Sequence, residues 1–187
     1  MSEVFGCVAN TIKLRSGNYF DFNDCLPIQF EFADIAGALS KICRFGGQCE
    51  PFYSVAEHCY HCSRVAQGDG RNRDEQIALL MHDASEAFVG DMVKPLKVLL
   101  PDFQKVEKRI EKVISEKYRI DFEKHEWCVK EIDMAMLIAE RRAMFDPDTF
   151  KWTGEDSVRH LSVEFKKWGP QDAESFFTSR ARELGVI

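Results

Sequence analysis

A chain of 187 residues, 45% apolar and 30% charged with a formal charge of −6, is long enough to bury about 70% of its unfolded surface in one domain. No apolar run nears the roughly 20 residues that span a bilayer, and the opening MSEVFGCVANTIKLRSG lacks the basic region and long apolar core of a secretory signal. Acidic and basic residues interleave without the basic stripe that a nucleic-acid polymer demands, and the seven cysteines show no framework spacing, as expected of reduced thiols in a cytoplasmic protein.

Thr11 to Leu14 and Tyr19 to Phe22 alternate around Arg15-Ser16-Gly17-Asn18, which predicts a small β-hairpin that Pro27 follows. Phe32, Ile35, Ala36, Leu39 and Ile42 repeat at helical spacing, so a first core helix is expected over 30–43. Arg44-Phe45-Gly46-Gly47 stops it. Ser54 and Glu57 match a capping box, opening a second helix that runs to about Ala66 and carries His58 in its first turns.

A third helix is expected from Asp74 to Phe88, closed by Gly90-Asp91. Its core, IALLMHDASEAFVGD, sets His82, Asp83 and Glu86 into an apolar run. On a continuous helix His82 and Glu86 are i,i+4 neighbours, and Asp83 and Glu86 are i,i+3 neighbours. Buried charge of this kind normally pairs or holds a metal. Lys94-Pro95-Leu96-Lys97 falls in a loop before a fourth helix, Asp102 to Tyr118, and a fifth runs from about Glu123 to Phe145, with Asp133 in its middle and Pro147 beyond it. Two further helices are expected, Glu155 to Trp168 and Gln171 to Leu184. The pattern is all-α with a minor N-terminal hairpin, a single domain over 1–187.

His58, His82, Asp83 and Asp133 supply two imidazoles and two carboxylates, a mixed N/O set suited to one divalent ion such as Mn²⁺, Co²⁺, Zn²⁺, Fe²⁺ or Mg²⁺. Such an ion polarises a phosphoryl oxygen and acidifies water. Glu86, beyond the ligands, is placed for proton transfer.

The order His, then adjacent His-Asp, then Asp resembles the HD-domain metal-dependent phosphohydrolases. SVAEH, LLMHDASEAFVGD, KPLK and EIDMAML look like the compact deoxynucleotide enzymes of that family. These include bacterial 5′-deoxynucleotidases and phage-type dATP triphosphohydrolases. Arg44-Phe45-Gly46-Gly47 followed by Phe52-Tyr53-Ser54 is similar to the phage-type set. The resemblance covers about 28–145 and implies an HD-domain helical bundle, with a C-terminal helical extension over about 155–184.

It also implies roles. Glu86 is the proton-transfer residue and Asp91 a second acid/base or water-orienting group. Arg44 grips phosphate, where a guanidinium can bind bidentately, and Lys94 is a weaker choice for the same task. Phe45 and Gly46 lie by the base and sugar. The remaining histidines match no two-metal pattern, so one catalytic ion is expected, with a second delivered by the nucleotide left open.

The expected activity is release of triphosphate from a dNTP, dATP first, by a homo-oligomer of two or more copies. Phosphate removal from dNMPs is the close rival, and a non-catalytic nucleotide-binding protein is the alternative of another class. Plainer readings stand beside these: Arg44 as counter-charge to the end of the first helix, Asp91 as a turn residue, Lys94 as a surface lysine, and His61, Cys59 and Cys62 as supporting or core residues.

Overall fold

The structure, a computed structural model, describes residues 10–145, 152 and 154–187. Strands Thr11–Lys13 (β1) and Tyr19–Asp21 (β2) pair antiparallel with Ile12 opposite Phe20. The hairpin is closed by the Leu14 N–H donating to Asn18 O at 2.8 Å, and Gly17 takes φ 93°, which a side chain would resist. The inward face of β2 is Phe20. Its ring stacks on Phe88 at 4.2 Å, and Phe30 meets Phe88 edge-on at 5.3 Å. Phe88 belongs to the short helix that carries Glu86, so the hairpin braces the site from behind; such aromatic pairs add about 0.5–1.5 kcal/mol each beyond their burial.

Helix α1 spans Phe32–Leu39, shorter than the periodicity predicts. The Ser40 hydroxyl and the Lys41 ammonium both donate to Gly37 O, at 3.2 and 2.6 Å. A continuing helix would give that carbonyl to the Lys41 N–H, so local side-chain hydrogen bonds end the helix here. Helix α2, Val55–Gly68, begins at Ser54, whose hydroxyl accepts the Glu57 N–H at 3.2 Å. The reciprocal half of the expected capping box is not made. The Glu57 carboxylate instead accepts the Lys167 and Trp168 N–H groups at 2.9 and 2.8 Å.

The third predicted helix is two. Helix α3 covers Arg73–Met81 and helix α4 covers Glu86–Val89, with the His-Asp pair in the tight turn between them. His82 Nδ1 donates to Leu79 O at 2.8 Å, taking the acceptor that a continuing helix would offer to the Asp83 N–H. The turn is then sewn by i→i−3 bonds such as Glu86 N–H to Asp83 O. Nothing in an apolar run free of Gly and Pro announces that break. Lys94–Lys97, expected as loop, is a single helical turn, α5.

Helices α6, Pro101–Tyr118, and α7, Phe122–Met144, follow the predicted bounds closely. Pro147 lies outside the described residues. The expected helix over Glu155 to Trp168 is absent. After a 3₁₀ turn at Glu155–Ser157 the chain runs as an extended strap. Leu161, Val163 and Phe165 point inward in alternation with exposed His160, Ser162 and Glu164. The sequence carries that period of two, which is the spacing of an extended chain and not of a helix. Glu57 pins the far end of the strap, where Lys167 takes φ 54°. Helix α8, Pro170–Glu183, closes the chain, with Gly185 beyond it.

The described residues are mostly helical with one two-stranded sheet. The larger core gathers α1, α2, α3, α6 and α8 under the hairpin, and a second cluster, built on Cys62, Leu79, Ile132 and Met136, joins α2, α3 and α7 to the strap. No described helix is long and apolar enough to cross a membrane.

Candidate metal centre

Three helices and a turn bring the predicted ligand set together. His58 lies in the first turns of α2, His82 caps α3, Asp83 follows it, and Asp133 projects from the middle of α7. The two Nε2 atoms of His58 and His82 are 3.2 Å apart. Asp133 Oδ1 lies 3.2 Å from His58 Nε2 and 3.7 Å from His82 Nε2, and Asp83 Oδ2 lies 3.6 and 3.2 Å from the same atoms.

Each imidazole spends its Nδ1 proton elsewhere. His58 Nδ1 donates to Glu140 Oε1 at 2.6 Å, and His82 Nδ1 donates to Leu79 O. The neutral ring has one N–H, so both Nε2 lone pairs are aimed into the same small space beside two carboxylate oxygens. Four electron-rich atoms at this spacing repel one another unless a cation sits among them. Asp83 and Asp133 side chains are 21% and 39% exposed while His58 is fully buried, so the centre opens to solvent on its carboxylate side.

The electrostatics agree. Burial alone lowers both histidines, yet the surrounding carboxylates more than reverse it, raising His58 and raising His82 well above the usual imidazole range. Burial would raise Asp133, but its hydrogen bonds to the two histidines hold it well below the usual carboxylate range. The cluster recruits positive charge, as a proton or as an ion.

Glu140 is the residue that sequence reasoning missed. It is fully buried on α7, two turns beyond Asp133 on the same helix edge. Its carboxylate receives His58 Nδ1, the Tyr53 hydroxyl at 2.8 Å, and Arg44 through Nε at 3.2 Å and Nη2 at 3.1 Å. That i,i+7 relation to Asp133 was the available signal.

Arg44 is buried inside the site and does not serve the end of α1. Its Nε–Nη2 edge is committed to Glu140, and Nη1 faces Asp83 Oδ2 at 3.6 Å. The bidentate edge expected to grip phosphate is therefore already occupied. Glu86 is buried beside the ligands with Oε2 lacking a hydrogen-bond partner. Burial first, then Asp83 and Asp91, pushes its carboxyl well above the usual range. Asp91, half-buried, is also raised by burial, against the pull of Arg44.

Lys94 is exposed and has no ion-pair partner among the described residues. Lys97, one turn on, pairs with Glu107 at 2.8 Å and lies within the electrostatic reach of Glu86 and Asp83. Phe45 takes φ 57°, left-handed for a bulky residue, and its ring meets Phe145 edge-on at 5.2 Å. Gly46 also takes φ 60°, and a Cβ there would sit an ordinary 3.7 Å from Val93, so it is the backbone angle and not space that calls for glycine.

A comparison with curated proteins pairs 177 residues with the uncharacterized protein YfdR of Escherichia coli strain K12, at 39% identity over 94% of this chain and 96% of that one. The chain belongs to the YfdR family. An uncharacterized protein of Rhodobacter capsulatus is 34% identical over 92 residues, 47% of either chain. No family model matches. The YfdR alignment spans nearly the whole chain.

Two thiols also approach the centre, and they test which atoms fit an ion in this YfdR relative. Cys62 Sγ is 3.7 Å from His58 Nε2, and Cys59 Sγ is 3.9 Å from His82 Nδ1. Nδ1 of His82 is already engaged with Leu79, so Cys59 sits on the wrong side of the ring. Burial pushes the Cys59 thiol up to about 11 and Cys62 well above its usual range. A thiol ligates as its thiolate. Two groups of described residues could hold an ion, His58 with Cys62 and His82, and Cys59 with His82 and Asp83, and Asp133 lies beside the two histidines.

Proposed function

We propose that this protein is a metal-dependent phosphohydrolase of the HD-domain type acting on free deoxynucleotides, releasing triphosphate from a dNTP with dATP the first substrate to try. The opposed Nε2 lone pairs of His58 and His82, flanked by two carboxylates that open to solvent, carry this reading. His58, His82, Asp83 and Asp133 would hold the ion; when bound, it supplies Lewis acidity toward a phosphoryl oxygen and the attacking water.

The chain's own groups supply the rest. Glu86, with an unpartnered oxygen and a carboxyl raised well above its usual range by burial, exchanges the proton with water and leaving group. Asp91 shares that acidic wall and orients the water. Arg44 presents Nη1 toward the carboxylate mouth and contacts a phosphoryl oxygen end-on, because its other edge is spent on Glu140. Phe45 and Gly46 border the place where base and sugar would lie.

Incubation with each dNTP and each dNMP, in Mn²⁺, Co²⁺ or Mg²⁺, tests the proposal. Free triphosphate is the expected product. Orthophosphate from dNMPs alone would give the reaction to the rival 5′-deoxynucleotidase reading. Tight nucleotide binding without turnover on any substrate would leave a binding protein.

A further inference from the structure

Buried carboxylates that receive donors from several elements usually serve the fold. Glu140 differs in what its donors are. One is the imidazole that completes the metal centre, another is the guanidinium beside it, and the third is Tyr53, itself fully buried. Three separate segments, α2, the Arg44–Gly47 turn and the residues leading into α2, meet on one side chain of α7. The two ring nitrogens of a histidine are distinct, and the hydrogen bond at one decides which face the other presents.

We propose that Glu140 is the positioning residue of this centre, a single carboxylate that fixes the Nδ1–H tautomer of His58 and clamps Arg44 beside Asp83. This rests on the proposed metal-dependent reading, and it adds that ion affinity and nucleotide affinity are set by the same side chain. With Glu140 in place His58 can only offer Nε2 to the centre. The Arg44 fork is held on two of its nitrogens, which aims the remaining Nη1 at the mouth. Tyr53 takes no part in the chemistry; it holds the carboxylate in the plane that both partners need.

Glu140→Gln keeps the shape and one acceptor oxygen but loses the charge and turns an N–H₂ toward the fork of Arg44. It is expected to weaken Mn²⁺ binding about 10–100-fold, the usual cost of losing an outer-shell partner, and to raise KM for the nucleotide in parallel. Arg44→Lys is expected to raise KM while leaving Mn²⁺ affinity unchanged, and Tyr53→Phe to shift both in the Glu140→Gln direction by less. Nitrogen-15 spectra of the imidazoles in the metal-free wild type give a readout that needs no turnover. His58 should show a protonated Nδ1 with a downfield proton, and Glu140→Ala, which removes the acceptor oxygen altogether, should lose it.

A His58 whose Nδ1 carries no proton in the wild type would overturn the proposal. So would Mn²⁺ affinity and KM unchanged in a folded Glu140→Gln. A wild type that binds no Mn²⁺ yet shows the Nδ1 proton, lost in Glu140→Ala, would remove the proposed reaction and leave the positioning role of Glu140 standing.

Discussion

Two buried carboxylate–imidazole pairs share helix α2 through the neighbouring residues Glu57 and His58, and they have opposite fates. Glu57 is fully buried, both its oxygens are taken by backbone N–H groups of the strap, and His61 lies 3.5 Å away. The His61 ring stacks on Trp168 at 5.6 Å and meets Phe165 edge-on. That pair is walled by aromatics, and it is a fastening. On the next residue, His58 meets Glu140 on one nitrogen and on the other faces a second imidazole and two carboxylates. Glu57 and Glu140 are both fully buried. What separates a centre from a fastening is the number of lone pairs converging on one point with their protons spent elsewhere.

That contrast can be broken by experiment. The largest effect is expected at the centre: Asp133→Ala should abolish Mn²⁺ uptake by calorimetry and lower turnover by about 1000-fold or more, roughly 4 kcal/mol of lost stabilisation. Retained stoichiometric Mn²⁺ would show that the four groups do not act together. At the fastening, Glu57→Ala strands two backbone donors. A loss of about 2–4 kcal/mol is expected, seen as a melting point lower by roughly 5–15 °C, with Mn²⁺ affinity unchanged in the folded fraction. If Mn²⁺ binding fails while the melt is unmoved, the two regions are not distinct.

A smaller effect separates them by pH. Glu86 has its carboxyl raised in the folded state by burial, Asp83 and Asp91. Its neutral form is the one that folding favours, so its contribution is whole at low pH and is lost as pH rises from the ordinary carboxylate value of 4.5 through the raised one. The histidines, also raised, act in the same direction. In EDTA the wild type should therefore lose melting temperature from pH 5 to 8 more steeply than Glu86→Gln, which stays neutral throughout. Parallel curves would show that Glu86 is not buried against like charge. Glu86→Gln should also be inactive.

The smallest effect concerns two lysines one turn apart. Lys94→Ala should leave kcat and KM unchanged within assay error, whereas Lys97→Ala should raise KM modestly by removing a cation that Glu86 and Asp83 feel. The reverse ranking would place Lys94, exposed as it is, over the bound nucleotide.

Much of this molecule was written in local patterns. The hairpin follows from alternation and from Gly17, α6 and α7 from apolar stripes at helical spacing, and the start of α2 from Ser54. His58, His82, Asp83 and Asp133 were legible because ionisable groups inside apolar runs violate the ordinary rule of burial. Local patterns failed where a side chain took a backbone partner. His82 captured the Leu79 carbonyl and split a helix, and Ser40 with Lys41 did the same at Gly37. They failed again at the strap, where Glu57 supplies from another element the hydrogen bonds that a helix would have made internally.

Sequence by itself marked His58, His82, Asp83 and Asp133 as ionisable groups set into apolar stretches, since that depends only on spacing along one chain. Tertiary structure decided that His58 presents Nε2 and that the fork of Arg44 is spent on Glu140. Both are choices among partners far apart in sequence, and only tertiary packing onto α7 brings those partners within hydrogen-bonding distance.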